Sequence, residues 1–213
     1  MRVRYGDGDP LARILLPLAK LRCTRGGIRS ASLALEVFGG NGYIEDWPMA
    51  RQLRDAQCHT IWEGTENILA LDVLRTMARD RAHEPLLAMI DGAAGGATHP
   101  LLRPVRELVD RARGQLVESM AQVAGASERA ARLRAGRLAN DMADVVQAAL
   151  LLDHARWQLT EHGSARAAAV AAWFARTHLD PRGRWHPSIE AIALDHFDAV
   201  VGYAALAPES LTL

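Results

Sequence analysis

The chain has little cysteine: only Cys23 and Cys58 occur among its 213 residues, without the paired spacing of a disulfide framework or a thiolate metal site, so reduced thiols are expected. It has no net charge either. Its 25 Lys and Arg offset 25 Asp and Glu, which leaves no overall field to draw nucleic acid or a membrane surface. Lysine is almost missing; Lys20 is the only one, which reads as a compositional bias accompanying abundant alanine. No metal set is expected, because His154, His162, His178, His186 and His196 show no spacing that puts two on one helix face beside a carboxylate. No nucleophile motif occurs. The apolar run Ile14 to Ala19 contains Pro17 and is bounded by Arg13 and Lys20, so it is too short to span a bilayer, and no leader cleavage site follows it. A cytoplasmic protein with no membrane partner is expected.

What is present is enough apolar material, 49% of the residues, for a substantial core. No segment alternates with the period of a strand, and no internal repeat is found, so the fold expected is all-α. Asp9-Pro10 is a helix start, because aspartate caps an orphan amide and proline at the first position loses no needed donor. That helix should run toward Phe38, with Pro17 and Gly26-Gly27 as places to kink, and Gly39-Gly40-Asn41-Gly42 should end it. A short helix from about Pro48 to Cys58 follows. Thr65 then caps a helix that buries Ile68, Leu71, Val73, Leu74 and Met77 and fades near Asp80-Arg81. Residues 81–100 read as a linker, most clearly the glycine-rich stretch from Asp91 to Pro100. Beyond it, helices are expected over Pro104 to Val123, from a Ser127 cap to about Leu159, over Ala165 to His178, and from about Pro187 to Ala205.

Two turns carry the chemistry. A glycine run after a helix is often a plain terminator, and Glu63-Gly64-Thr65 taken alone is only a helix entry. Their order and spacing are more specific. Val37-Phe38-Gly39-Gly40-Asn41-Gly42-Tyr43, Pro48, Arg54-Asp55-Ala56 and Ile61-Trp62-Glu63-Gly64-Thr65 resemble the C-terminal signature of flavin-dependent acyl-CoA dehydrogenases, over roughly residues 10 to 80. Trp62, the continuation Leu71-Asp72-Val73-Leu74-Arg75 and the helical region after residue 80 look most like the AidB type, an adaptive-response branch associated with alkylation damage.

The resemblance implies an acyl-CoA dehydrogenase C-terminal helical bundle over residues 1–80, followed over 101–213 by an additional AidB-like helical subdomain. It implies FAD as cofactor and α,β-dehydrogenation of an acyl-CoA thioester. Glu63 matches the base that removes the α-proton, and its own amide matches a donor to the thioester carbonyl. Trp62, Glu63 and Gly64 match substrate-binding positions, although Trp62 also suits a core. Thr65, Glu66 and Asn67 match positions on FAD at a helix start whose free amides suit phosphate. Glu36, Val37, Phe38, Gly39 and Gly40 match the segment that reaches the adenosine part of FAD in a neighbouring subunit, with Glu36 where many relatives carry glutamine. Arg54-Asp55 reads as a structural pair bracing the two turns.

In the family an N-terminal helical domain and a middle β-domain complete the pocket, and both are expected ahead of Met1. The chain is therefore expected to give one wall of a site, completed by those domains or an equivalent subunit, and to self-associate into a homo-oligomer through the apolar faces it exposes. The alternative reading is a non-catalytic helical module that binds DNA through Arg129, Arg132 and Arg137, with Arg103, Arg106, Arg111, Arg113 and Arg134 nearby. Glu107, Asp110, Glu118, Glu128, Asp141 and Asp144 are interleaved among these arginines, as on an ordinary solvated helix face.

Overall fold

A computed structural model describes residues 8–213, and among these every regular element is a helix. The expected all-α fold is what is found. The first seven residues of the bundle expected over residues 1–80 lie outside the described ones. The chain divides into two compact units, one made of residues 1–83 and 123–143, the other of 84–122 and 144–213. This division does not follow the 1–80 and 101–213 partition, because the first unit also takes in residues from beyond the expected linker.

In the first unit α1, Pro10–Val37, starts as the sequence predicts: the Asp9 carboxylate accepts from the Leu11 amide at 3.0 Å, with proline just inside. The helix passes through Pro17, which is itself buried with Ala12, Ile14, Leu18 and Leu21, so packing offsets the lost backbone bond. Gly39 turns the chain out of α1 at φ 56. The following residues are not the plain turn expected: Gly40–Tyr43 form a single helical turn, α2. Gly42 allows it, since a Cβ there would lie 2.1 Å from the Leu35 carbonyl oxygen.

α3, Met49–Cys58, starts from Pro48. α4, Glu66–Asp80, has Thr65 at its cap position, but the Thr65 side chain makes no capping bond. Arg81 closes α4 in the left-handed region at φ 50. α1 packs along α3 and α4, with α2 at its end. Ile14, Leu18, Leu21, Val73 and Met142 are buried, and the buried Thr76 hydroxyl donates to the Val73 carbonyl at 2.9 Å.

The second unit corrects two expectations. The supposed linker is largely helix α5, His83–Gly96. Its apolar residues Leu86, Ile90, Ala93 and Ala94 repeat at helical spacing and are buried, which outweighs the roughly 1 kcal/mol that each interior glycine costs. α6 spans Arg103–Ala124 and α7 Glu128–His162, the latter entered from Ser127, whose hydroxyl oxygen accepts from the Ala130 amide at 3.4 Å. α8, Arg166–Leu179, buries Ala167, Ala168, Ala169, Ala171, Ala172 and Ala175, small residues that let backbones approach closely. The last expected helix is two, α9 Pro187–Asp195 and α10 Phe197–Val201, interrupted at His196. Ile189 and Ile192 are buried while Leu194, Phe197 and Val201 are exposed, so no continuous apolar stripe carries one helix through. None of the described helices is long and apolar enough to cross a membrane.

Candidate active site

The segment between α3 and α4 folds back on the end of α3: the Ile61 and Trp62 amides both donate to the Cys58 carbonyl at 3.0 Å. Two residues with positive φ then follow in succession, Glu63 at 57° and Gly64 at 106°. Glycine adopts such angles freely; for glutamate the left-handed region costs about 1–2 kcal/mol and must be held by its surroundings. The holder is Lys20 on α1. Its ammonium donates to the carbonyls of Trp62 and Gly64, the latter at 2.9 Å, one on either side of Glu63.

The Glu63 side chain is exposed, and its backbone amide has no hydrogen-bond acceptor among the described residues. At the start of α4 the amides of Glu66, Asn67 and Ile68 are likewise open, because Thr65 leaves them uncapped.

Glu63 and Trp62 edge a groove of about 780 Å³ whose wall includes Leu16, Lys20, Cys23 and His59. Arg13 and Asp72 close one side with two parallel bonds of 2.7 and 2.9 Å, and Arg75 adds a third to Asp72 at 2.8 Å. The hydrogen bond from Arg13, aided by the nearby positive charge, holds the Asp72 carboxyl below its ordinary range. A depressed carboxylate pKa contributes stability above the unfolded value of about 3.9, and that contribution is lost as pH falls through the folded value. The melting temperature of the Asp72→Asn variant should therefore lie below that of the unmodified chain near neutrality and converge on it below about pH 4. Thermal melts across pH test this, and a gap that stays constant with pH would contradict it.

Trp62 is 64% exposed, so it is not a core residue. Thr65 and Asn67 are exposed beside it. Glu66 is engaged: Arg25 on α1 holds its carboxylate at 2.6 Å and the Asn140 amide donates to it at 3.3 Å. Glu36, Val37, Phe38, Gly39 and Gly40 are all exposed at the C-terminal end of α1, and none of them lines the groove. The Phe38 ring stands 6.4 Å from that of Trp47. Arg54 does not pair with Asp55: it grips Glu45, beyond the glycine turn, at 2.6 and 3.1 Å, while Asp55 lies 3.6 Å from Arg51. Arg54 thus ties α3 to the stretch after α2 across nine residues of sequence.

Arg129, Arg132 and Arg137 are exposed on α7, and two of them face carboxylates one turn on or back, Arg132 to Glu128 at 3.3 Å and Arg137 to Asp141 at 3.9 Å. This pairing lends the nucleic-acid reading no support. No group of His, Cys, Asp and Glu among the described residues could hold a metal ion. Lys20 is the residue shaping this turn that sequence reasoning missed. Its being the single lysine beside 24 arginines was the available signal.

The family model for the acyl-CoA dehydrogenase C-terminal domain matches residues 3–78. Among curated proteins, acyl-CoA dehydrogenase family member 11 of Caenorhabditis elegans is 30% identical over 203 residues, covering 89% of this chain and 33% of that protein. The Escherichia coli K12 protein that carries the name "Putative acyl-CoA dehydrogenase AidB" is 34% identical over 102 residues, 48% of this chain and 19% of that one. The crystal structure of C. elegans ACDH-11 in complex with C11-CoA superposes with a TM-score of 0.73 at 26% identity, covering 92% of this chain and 34% of that one. The chain spans a third or less of the length of these relatives.

Proposed function

We propose, from the match of residues 3–78 to the acyl-CoA dehydrogenase C-terminal domain, that this chain supplies the base-bearing wall of a flavin-dependent site for α,β-dehydrogenation of an acyl-CoA thioester. The observation that carries the reading is Glu63 itself: an exposed carboxylate at the edge of a groove, in a left-handed turn whose amide is left open to donate. Glu63 takes the α-proton, and its amide donates to the thioester carbonyl and stabilises the charge that builds there. FAD, when bound, supplies the acceptor for the β-hydride.

The residues present fit one side of a flavin. Gly64 keeps the backbone bare at the turn, Ile61, Trp62 and Ile68 expose apolar surface around it, and the uncapped amides of α4 suit a phosphate. Glu66 would oppose an anion, but its charge is met by Arg25. Glu36 has no such partner among the described residues, which makes residues 36–40 the weaker part of the fit.

An affiliation with the AidB type is supported by the match over 102 residues, and the kinship of the helices beyond residue 80 by the 203-residue match to the C. elegans protein. Exposed Val37, Phe38, Tyr43 and Ile44 are the apolar surface through which a homo-oligomer would form.

The test is a graft in which this chain replaces the matching third of the C. elegans protein. A graft that keeps its flavin and loses oxidised-flavin absorbance on addition of an acyl-CoA supports the reading. One that keeps the flavin yet is not reduced by short, branched or long acyl-CoAs would sink it.

A further inference from the structure

We propose that Lys20 is a positioning residue for Glu63, fixing in one contact both the carboxylate that takes the proton and the amide that faces the carbonyl. Lys20 lies in the middle of α1, far along the chain from the turn it holds, and its ammonium meets the carbonyls of Trp62 and Gly64, which precede and follow the Glu63 carbonyl along the chain. The Trp62 carbonyl and the Glu63 amide belong to one planar trans peptide and point in opposite directions. A donor fixed on the Trp62 oxygen therefore aims the Glu63 N–H away from α1. The second bond, to the Gly64 carbonyl, fixes the peptide that follows Gly64, so the two left-handed residues, Glu63 and Gly64, are clamped together between two held peptides. Both bonds are charge-assisted, which suits them to hold a strained residue.

The side chain is matched to the task. An ammonium is a compact charge with three donors that can serve two converging carbonyls, whereas a guanidinium presents a flat fork made for a carboxylate. In a chain where every other long basic residue is arginine, the lysine stands where this geometry is needed.

The catalytic meaning of this contact rests on reading Glu63 as the base, but the contact can be tested without that reading, on the full chain and without cofactor. Nuclear magnetic resonance should find Glu63 in a single left-handed conformer and Gly64 with an order parameter near the rigid value of about 0.85. In Lys20→Met the left-handed signature of Glu63 should average out and the Gly64 order parameter fall below about 0.6, with Lys20→Arg restoring both in part. Because Lys20 is the single lysine, lysine-selective nitrogen labelling gives one side-chain ammonium signal in the unmodified chain. Its protons should exchange slowly enough to be observed. Lys20→Met retaining a rigid left-handed Glu63 overturns the proposal, and so does an ammonium signal of a freely solvated lysine, which needs no substitution at all. If Glu63→Gln left flavin reduction intact, the base assignment would fall while the hold of Lys20 on the turn stood.

Discussion

Glu63→Gln, placed in the flavin-loaded graft, should slow flavin reduction at saturating acyl-CoA by about 10²–10⁴-fold, the span a positioned general base contributes. Acyl-CoA binding should hardly change. Glutamine keeps the backbone amide proposed to face the thioester carbonyl and differs from glutamate by little in volume. The carboxylate makes no hydrogen bond or ion pair among the described residues, so its replacement strands no partner. The left-handed conformation at position 63 is held through the neighbouring carbonyls by Lys20, not through the side chain, and survives the substitution. The loss should thus appear in the rate and not in the half-saturating concentration, the pattern of an interaction made only in the transition state. Melting temperatures of the two proteins should coincide. A variant that reduced flavin at the original rate would leave Glu63 a mere turn residue.

The features legible in the sequence are those fixed by neighbours along the chain. Asp9 caps α1 and Ser127 enters α7, because a capping residue bonds an amide two or three positions ahead. The two signature turns were found for the same reason, from residue order and spacing. α5 was misread because glycine and alanine report on local preference alone, while burial of Leu86 and Ile90 decided the outcome. What gives the turn its shape was not legible at all. Lys20 reaches across 42 and 44 residues, Arg25 reaches Glu66 across 41, and Asn140 reaches Glu66 across 74. Such pairs leave no periodic trace in a single sequence; those of Lys20 and Arg25 follow only once α1 lies along α4.

A large stability effect is expected at Gly42. A Cβ there would sit 2.1 Å from the Leu35 carbonyl oxygen and 2.9 Å from the Leu35 carbonyl carbon, both backbone atoms of α1. No side chain can rotate away, so either α2 lifts off or the last turn of α1 distorts. Gly42→Ala should cost about 1–3 kcal/mol or more, as overpacking does, and lower the melting temperature by roughly 2–12 °C in a chain of this size. Gly40, two residues earlier, is the control: nothing lies within 4 Å of its Cβ position and its φ is not positive. Gly40→Ala should be neutral or raise stability by up to about 1 kcal/mol, because alanine restricts the unfolded chain more than glycine does. Equal melting of the two variants would contradict the steric argument. The seating of α2 on α1 also holds Glu36 to Gly40 in place at the end of that helix. If that end meets the flavin of a neighbouring subunit, Gly42→Ala will weaken flavin retention in the graft while Glu63→Gln leaves it whole. The two turns that first pointed to the family would then part into separate tasks, one holding the cofactor and the other moving the proton.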